Sequence, residues 1–141
     1  MNKVVCSGYF NPIHIGHIEC FREASKLGPL TVIVNSDKQV ALKGSIPFFD
    51  EDERCAIVLA NKYVSKVKLS IDEDESVAKT LALLKADVFY NSGDRDIHNV
   101  NEKERLICEE IGTSIVYGNL GKVQSSSELI EKAAREWVKR Q

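Results

Sequence analysis

His14 and His17, with Gly16 between them, stand three residues apart in the run Gly8-Tyr9-Phe10-Asn11-Pro12-Ile13-His14-Ile15-Gly16-His17. On a helix that spacing makes the two imidazoles neighbours on one face, within reach of a common ligand. Gly16 removes a side chain and lets that ligand approach the backbone closely. A single histidine in a turn is most often structural. Nearby sequence offers no third and fourth ligand, so no dedicated metal site is expected. What remains is anion chemistry, because the run leads from an apolar stretch, Val4-Val5-Cys6, into a helix-like pattern. A helix N-terminus attracts negative charge, and in an open α/β sheet ligands gather at that corner.

The elements that must position these groups alternate along the chain. Lys3 to Ser7 predicts the first strand. Ile15, Ile18, Phe21, Ala24 and Leu27 give the three-to-four spacing of an amphipathic helix, which Gly28-Pro29 ends. Leu30 to Val34 is a continuous apolar and β-branched run, the pattern of a strand buried on both faces. Residues 35–49 are expected to form a loop. Asp50 to Tyr63 predicts a helix whose acidic start complements its dipole. Lys66 to Ile71 is a strand, 72–75 a solvated acidic turn, and Ser76 to Lys85 a helix. Val88 to Tyr90 is the fourth strand, Asn101 to Ile111 a helix ended by Gly112, and Ser114 to Tyr117 the fifth strand. A last helix covers Ser125 to Arg140.

Five βα units in 141 residues imply one domain over 1–141. The expected fold class is α/β, a Rossmann-like five-stranded parallel sheet with helices on both faces. Chemistry should then lie at the carboxyl ends of the strands, in residues 8–17, 35–44, 91–96 and 118–127. A formal net charge of −2 gives no reason to expect a nucleic-acid or membrane partner. No run approaches the length of a membrane span, and no signal peptide is visible. The four scattered cysteines, Cys6, Cys20, Cys55 and Cys108, suit buried free thiols and a cytoplasmic protein.

The motif Gly8-x-Phe10-Asn11-Pro12-x-His14-x-Gly16-His17 resembles the HxGH signature of the cytidylyltransferase-like nucleotidyltransferases. That group includes glycerol-3-phosphate cytidylyltransferases, the adenylyltransferase domain of ADP-heptose synthesis, and pantetheine-phosphate and nicotinamide-mononucleotide adenylyltransferases. Three further segments match in order. Val34-Asn35-Ser36-Asp37, Lys43-Gly44 and Glu51-x-Glu53-Arg54 resemble the end of strand two, a phosphate-binding lysine and a helix arginine. Ser92-Gly93-Asp94 resembles a nucleotide-contacting turn. Gln124-Ser125-Ser126-Ser127 resembles the Ser/Thr element before the last helix that holds a triphosphate. Taken singly, each of these has a plainer reading as a surface loop, a turn or an N-cap.

The resemblance implies an enzyme that moves CMP or AMP from CTP or ATP onto a phosphorylated small molecule and releases pyrophosphate. His14, His17 and Lys43 would be catalytic, the imidazoles donating hydrogen bonds to the crowded phosphoryl group. Gly8, Tyr9, Phe10, Asn11, Gly16, Gly93, Asp94, Gln124, Ser125, Ser126 and Ser127 would bind the nucleotide. Arg54, Lys62 and Arg95 would bind the acceptor, with His98 facing it as well. Mg²⁺ would arrive with the triphosphate. A homodimer is implied too. Three departures stand out: Asn11 replaces the aspartate common in cytidylyltransferases, Lys62 replaces an arginine, and Lys122 is the nearest cation before the Ser/Thr element. A polyol or sugar phosphate is the expected acceptor. The alternatives are a cofactor-biosynthesis adenylyltransferase acting on pantetheine phosphate or nicotinamide mononucleotide, and a nucleotide sensor without turnover.

Overall fold

A computed structural model of the chain describes residues 2–92, 98–118 and 125–141. Its elements, in chain order, are β1 (Val4–Gly8), α1 (Ile15–Ser25), β2 (Leu30–Val34), α2 (Asp37–Leu42), α3 (Glu51–Leu59) and β3 (Lys66–Leu69). They continue with α4 (Ala78–Leu84), β4 (Val88–Asn91), α5 (Glu102–Ile111), β5 (Ser114–Tyr117) and α6 (Ser126–Lys139). The strands form one parallel sheet in the order β3-β2-β1-β4-β5. The chain steps outward from β1 to β3, then returns to the other side of β1 as β4. The crevice beside β1 is therefore the switch point at which open α/β sheets bind ligands.

Alternation along the strands divides the core into two layers. Val4, Cys6, Val32, Val34 and Tyr90 pack against Phe21 and Ala24 of α1 and Val58 of α3. Val5, Ile33 and Phe89 pack on the opposite face against Leu81 of α4 and Cys108 of α5. All five residues of β2 are buried, as their continuous apolar and β-branched run predicts.

Helix ends follow local chemistry. Asp50 caps α3, accepting from Glu53 N–H at 2.8 Å, and Asn101 caps α5. Gly112 ends α5 in the left-handed conformation at φ 78°. Two readings of the sequence need correction. Residues 35–49 are not all loop, because α2 forms there under a reciprocal cap between Ser36 and Gln39. Asp72 does not sit in a solvated turn. It is buried, and its carboxylate accepts from Lys79 N–H at 2.7 Å and Thr80 N–H at 3.0 Å, capping α4 where Val77 offers no side-chain acceptor.

Candidate active site

A cavity of about 550 Å³ opens over the carboxyl ends of β1, β2 and β4. The motif loop after β1 brings Gly8, Tyr9, Phe10, Asn11, His14, Gly16 and His17 to it. Lys43 comes from the end of α2, and Ser125, Ser126 and Ser127 come from the start of α6. Segments separated by more than a hundred residues thus meet at one opening.

His14 and His17 are oriented by the backbone. His14 is the N-cap of α1, and its Nδ1 accepts from Gly16 N–H at 3.0 Å. His17 reaches back, its Nδ1 accepting from His14 N–H at 3.1 Å. The rings stack with centroids 3.8 Å apart. An imidazole nitrogen that accepts carries no proton, so the hydrogen of each neutral ring resides on Nε2. Burial lowers the His14 pKa below its ordinary value. Desolvation, followed by the nearby His14 and Lys43, lowers that of His17 to about 3. Both rings are neutral at pH 7, and each carries one Nε2 donor.

Phe10 supports this pair from beneath. It is buried with φ 52°, its ring meeting His17 edge-on at 4.9 Å and Phe21 at 5.4 Å. Gly8 is required under that ring, because a Cβ there would lie 2.7 Å from the ring tip. Lys43 Nζ lies 4.3 Å from the centre of the Tyr9 ring, a cation–π contact at the cavity mouth. Ser126 Oγ donates to Pro12 C=O at 2.9 Å and ties the start of α6 to the motif loop. Ser125 caps α6 by accepting from Glu128 N–H.

Asn11 faces another neighbour. Its Nδ2 donates to Ile46 C=O at 2.9 Å, and its Oδ1 accepts from Phe48 N–H at 2.8 Å. An amide can do both, whereas an ionised carboxylate has no donor. Asn11 therefore lines the cavity with its polar ends engaged by the loop that leads into α3.

Two residues expected to bind the acceptor are placed elsewhere. Arg54 is 1% exposed. Its guanidinium donates to Tyr9 C=O and Asn35 C=O at 2.7 Å each, to Phe49 C=O at 3.1 Å and to Asp37 Oδ1 at 2.8 Å. Burial turns it into a clasp holding the loops after β1 and β2 together. Lys62 follows the far end of α3, where the chain turns to pair Ser65 N–H with Leu30 C=O at the start of β2. That is the opposite end of the sheet from the cavity, and its Nζ lies over Tyr63. Gly93, Asp94, Arg95, Lys122 and Gln124 lie outside the described residues. His98 is exposed and does not line the cavity.

Sequence reasoning placed Asn35 and Asn91 within its strand-end segments but gave neither a role: Asn35 is the first residue after β2 and Asn91 the last of β4, and both line the cavity. Val77 and Glu104 complete the wall on the α4/α5 side, Glu104 Oε2 accepting from Val77 N–H at 3.0 Å. Cys6 and Cys20 form part of the opposite wall, and all four cysteines are free thiols. Among the described residues no cluster of three His, Cys, Asp or Glu could hold a metal ion, and no helix is long and apolar enough to cross a membrane.

Known proteins are similar to this chain in sequence and in fold. The FAD synthase of Thermoplasma acidophilum is 31% identical over 98% of this chain and 97% of its own length. The FAD synthase of Ferroglobus placidus is 40% identical over 82% of this chain and 75% of its own. A crystal structure described as the lipopolysaccharide core biosynthesis protein from Thermoplasma volcanium GSS1 covers 84% of this chain and 97% of its own, with TM-score 0.72 and 31% identity. The cytidylyltransferase-like family model matches residues 5–132. Nearly the whole chain is thus accounted for by one family whose members are nucleotidyl-transferring enzymes, and the protein belongs to the cytidylyltransferase-like nucleotidyltransferases.

Proposed function

We propose that the protein transfers the adenylyl group of ATP to the phosphate of FMN, forming FAD and releasing pyrophosphate. An oxygen of the FMN phosphate forms a bond to the α-phosphorus as the bond to the β-phosphate bridging oxygen breaks, and the electron pair leaves with pyrophosphate. The nucleophile is already anionic, so no general base is needed. The barrier lies in alignment and in charge crowding around phosphorus. The observation that carries the chemistry is the pair of backbone-fixed imidazoles, each with one Nε2–H donor for oxygens that gain charge in the transition state. Lys43 and the first turn of α6 add positive potential. Mg²⁺ would arrive with the triphosphate and screen its charge.

The acceptor is where the first expectation changes. A polyol or sugar phosphate is the simpler guess from the motifs. Two relatives that align over most of their length are FAD synthases, which supports a cofactor-forming adenylyltransferase instead. FMN replaces the pantetheine phosphate and nicotinamide mononucleotide considered for that class. The sugar-phosphate reading keeps support from the lipopolysaccharide core biosynthesis protein, among other relatives. Incubation with ATP or CTP, Mg²⁺ and a panel of phosphorylated acceptors, read by product mass, tests the assignment. FAD from ATP and FMN is expected. A sugar or polyol nucleotide formed in its place would overturn it.

The protein is also proposed to act as a homodimer in a reducing compartment, which suits its four free thiols. Helix α6 supports the pairing: it buries none of its residues, and Trp137 and Val138 are 68% and 70% exposed. Sedimentation of the wild type and of Trp137→Glu checks this, with a dimer expected only for the wild type.

A further inference from the structure

β4 ends at Asn91, whose carbonyl accepts from Gly118 N–H at 2.6 Å. Alternation places its side chain on the same face as Phe89, toward α4 and α5. Asn91 is 8% exposed and lines the cavity, yet its amide nitrogen is buried without a hydrogen-bond partner. Among the described residues no other buried side-chain nitrogen or oxygen is in that position. Folded proteins pair nearly all such groups, because an unmade bond costs the donor its hydration.

The cavity has two unlike sides. His14 and His17 offer Nε2 donors from α1, and α6 turns its helix N-terminus toward the same side. Across the strand ends, Val77 presents an aliphatic surface to the cavity. In-line displacement puts the attacking oxygen opposite the leaving pyrophosphate. With pyrophosphate on the α1/α6 side, the acceptor enters from the α4/α5 side, where a flat, largely uncharged ring fits the wall.

We infer that Asn91 is a specificity-determining residue for the acceptor, donating its amide N–H to a carbonyl oxygen on the pyrimidinedione edge of the FMN ring. This rests on the FMN reading above. The torsion about Cβ–Cγ of an asparagine is broad, so the amide turns into the cavity without a rotamer penalty. Substrate then supplies the acceptor that this donor lacks within the protein.

Titration of FMN fluorescence, with ATP binding and thermal melting measured in parallel, tests this on wild type, Asn91→Leu and Asn91→Ala. Asn91→Leu is nearly isosteric and removes a donor that bonds to nothing in the free protein. Its melting temperature should be unchanged or higher, while FMN affinity falls about tenfold and ATP affinity stays within about twofold. Asn91→Ala should show the same split in affinity if leucine does not fit. Unchanged FMN affinity, or a loss confined to ATP, overturns the inference. A lower melting temperature with both affinities reduced alike makes Asn91 structural and overturns it as well. Wild type that fails to bind FMN overturns the FMN reading and this inference together. Wild type that binds FMN as well as both variants do overturns the inference alone.

Discussion

The imidazoles of His14 and His17 stack 3.8 Å apart, and each has its Nδ1 occupied by a backbone N–H. The geometry leaves neither ring free to act as a base through that nitrogen, and it leaves one donor on each. Replacing either histidine by alanine should lower kcat by roughly two to three orders of magnitude, the scale of a lost oxyanion donor. His14→Ala also removes an N-cap acceptor and should cost about 1 kcal/mol of stability. Steady-state kinetics with ATP and FMN provide the check, and near-normal kcat in both variants would remove the histidines from the mechanism.

The same burial has a consequence for stability in acid. In the folded protein His17 has a pKa of about 3, against 6.5 when unperturbed. Between these values the unfolded chain binds a proton that the folded one refuses. Stability is therefore fully present above pH 6.5 and declines as pH falls toward 3. Asp74 acts in the same direction but lower down: its pKa is lowered to about 2 by Lys103 and Ser76, so its share is lost only below about 3.8. From pH 6.5 to 4, His17 and, in the same direction, His14 govern this loss among the groups with shifted pKa. His17→Asn keeps an acceptor for His14 N–H and cannot titrate. Its urea midpoint should fall less than that of the wild type over that window, whereas parallel curves would contradict the assignment.

Catalysis should show a different pH response. Neutral imidazole donors predict no ionisation of the enzyme near pH 6.5 in kcat. The acid limb of kcat/KM should instead follow the second ionisation of the acceptor phosphate, at about pH 6. Replacing FMN by a phosphonate analogue with a different second pKa should move that limb with the analogue. A limb that stays fixed would point back to a histidine.

Arg54 shows how far letters alone carry a site. An arginine following an acidic helix start reads as an anion ligand, and nothing in the sequence says that it is 1% exposed. Its contacts join residues 17 to 45 positions away, which no local pattern encodes. By contrast, β2 and α1 were legible, because a continuous apolar and β-branched run and a three-to-four spacing report burial directly. The meeting of His14 with Lys43 followed from sheet topology, since adjacent parallel strands deliver their loops to one edge. Helix α2 was missed because six residues are too few for a period, although Ser36 and Gln39 carry the capping pattern. Asn91-Ser92 reads as a turn, and an unpaired amide is a property of the packed chain alone.

From that burial comes a prediction for Arg54 itself. Arg54→Met should destabilise the protein by about 3 kcal/mol, the lower end for a broken buried pair, because Asp37 keeps solvent contact. Three carbonyls lose their donor at the same time. Arg54→Lys should restore little, since one ammonium cannot reproduce the planar fork that reaches Tyr9, Asn35 and Phe49 together. Urea denaturation measures the loss. A lysine variant as stable as the wild type would show that charge matters there and the fork does not.

Asn11 offers the sharpest separation of positioning from chemistry. Its amide spans Ile46 C=O and Phe48 N–H, and so fixes the loop that carries Ile46 and Phe48, 81% and 58% exposed, beside Lys43. Asn11→Asp keeps the acceptor for Phe48 but sets a carboxylate oxygen against the Ile46 carbonyl, losing one bond and adding repulsion. The Nε2 donors of His14 and His17 are untouched by that change. KM for FMN should therefore rise about tenfold while kcat at saturation falls less than threefold, since a misplaced loop weakens acceptor binding without removing a transition-state donor. Asn11→Ala, which loses both bonds but sets no carboxylate against the Ile46 carbonyl, should lie at a similar KM with lower thermal stability. A fall in kcat as large as that of His17→Ala, with KM unchanged, would instead place Asn11 at the reacting phosphorus.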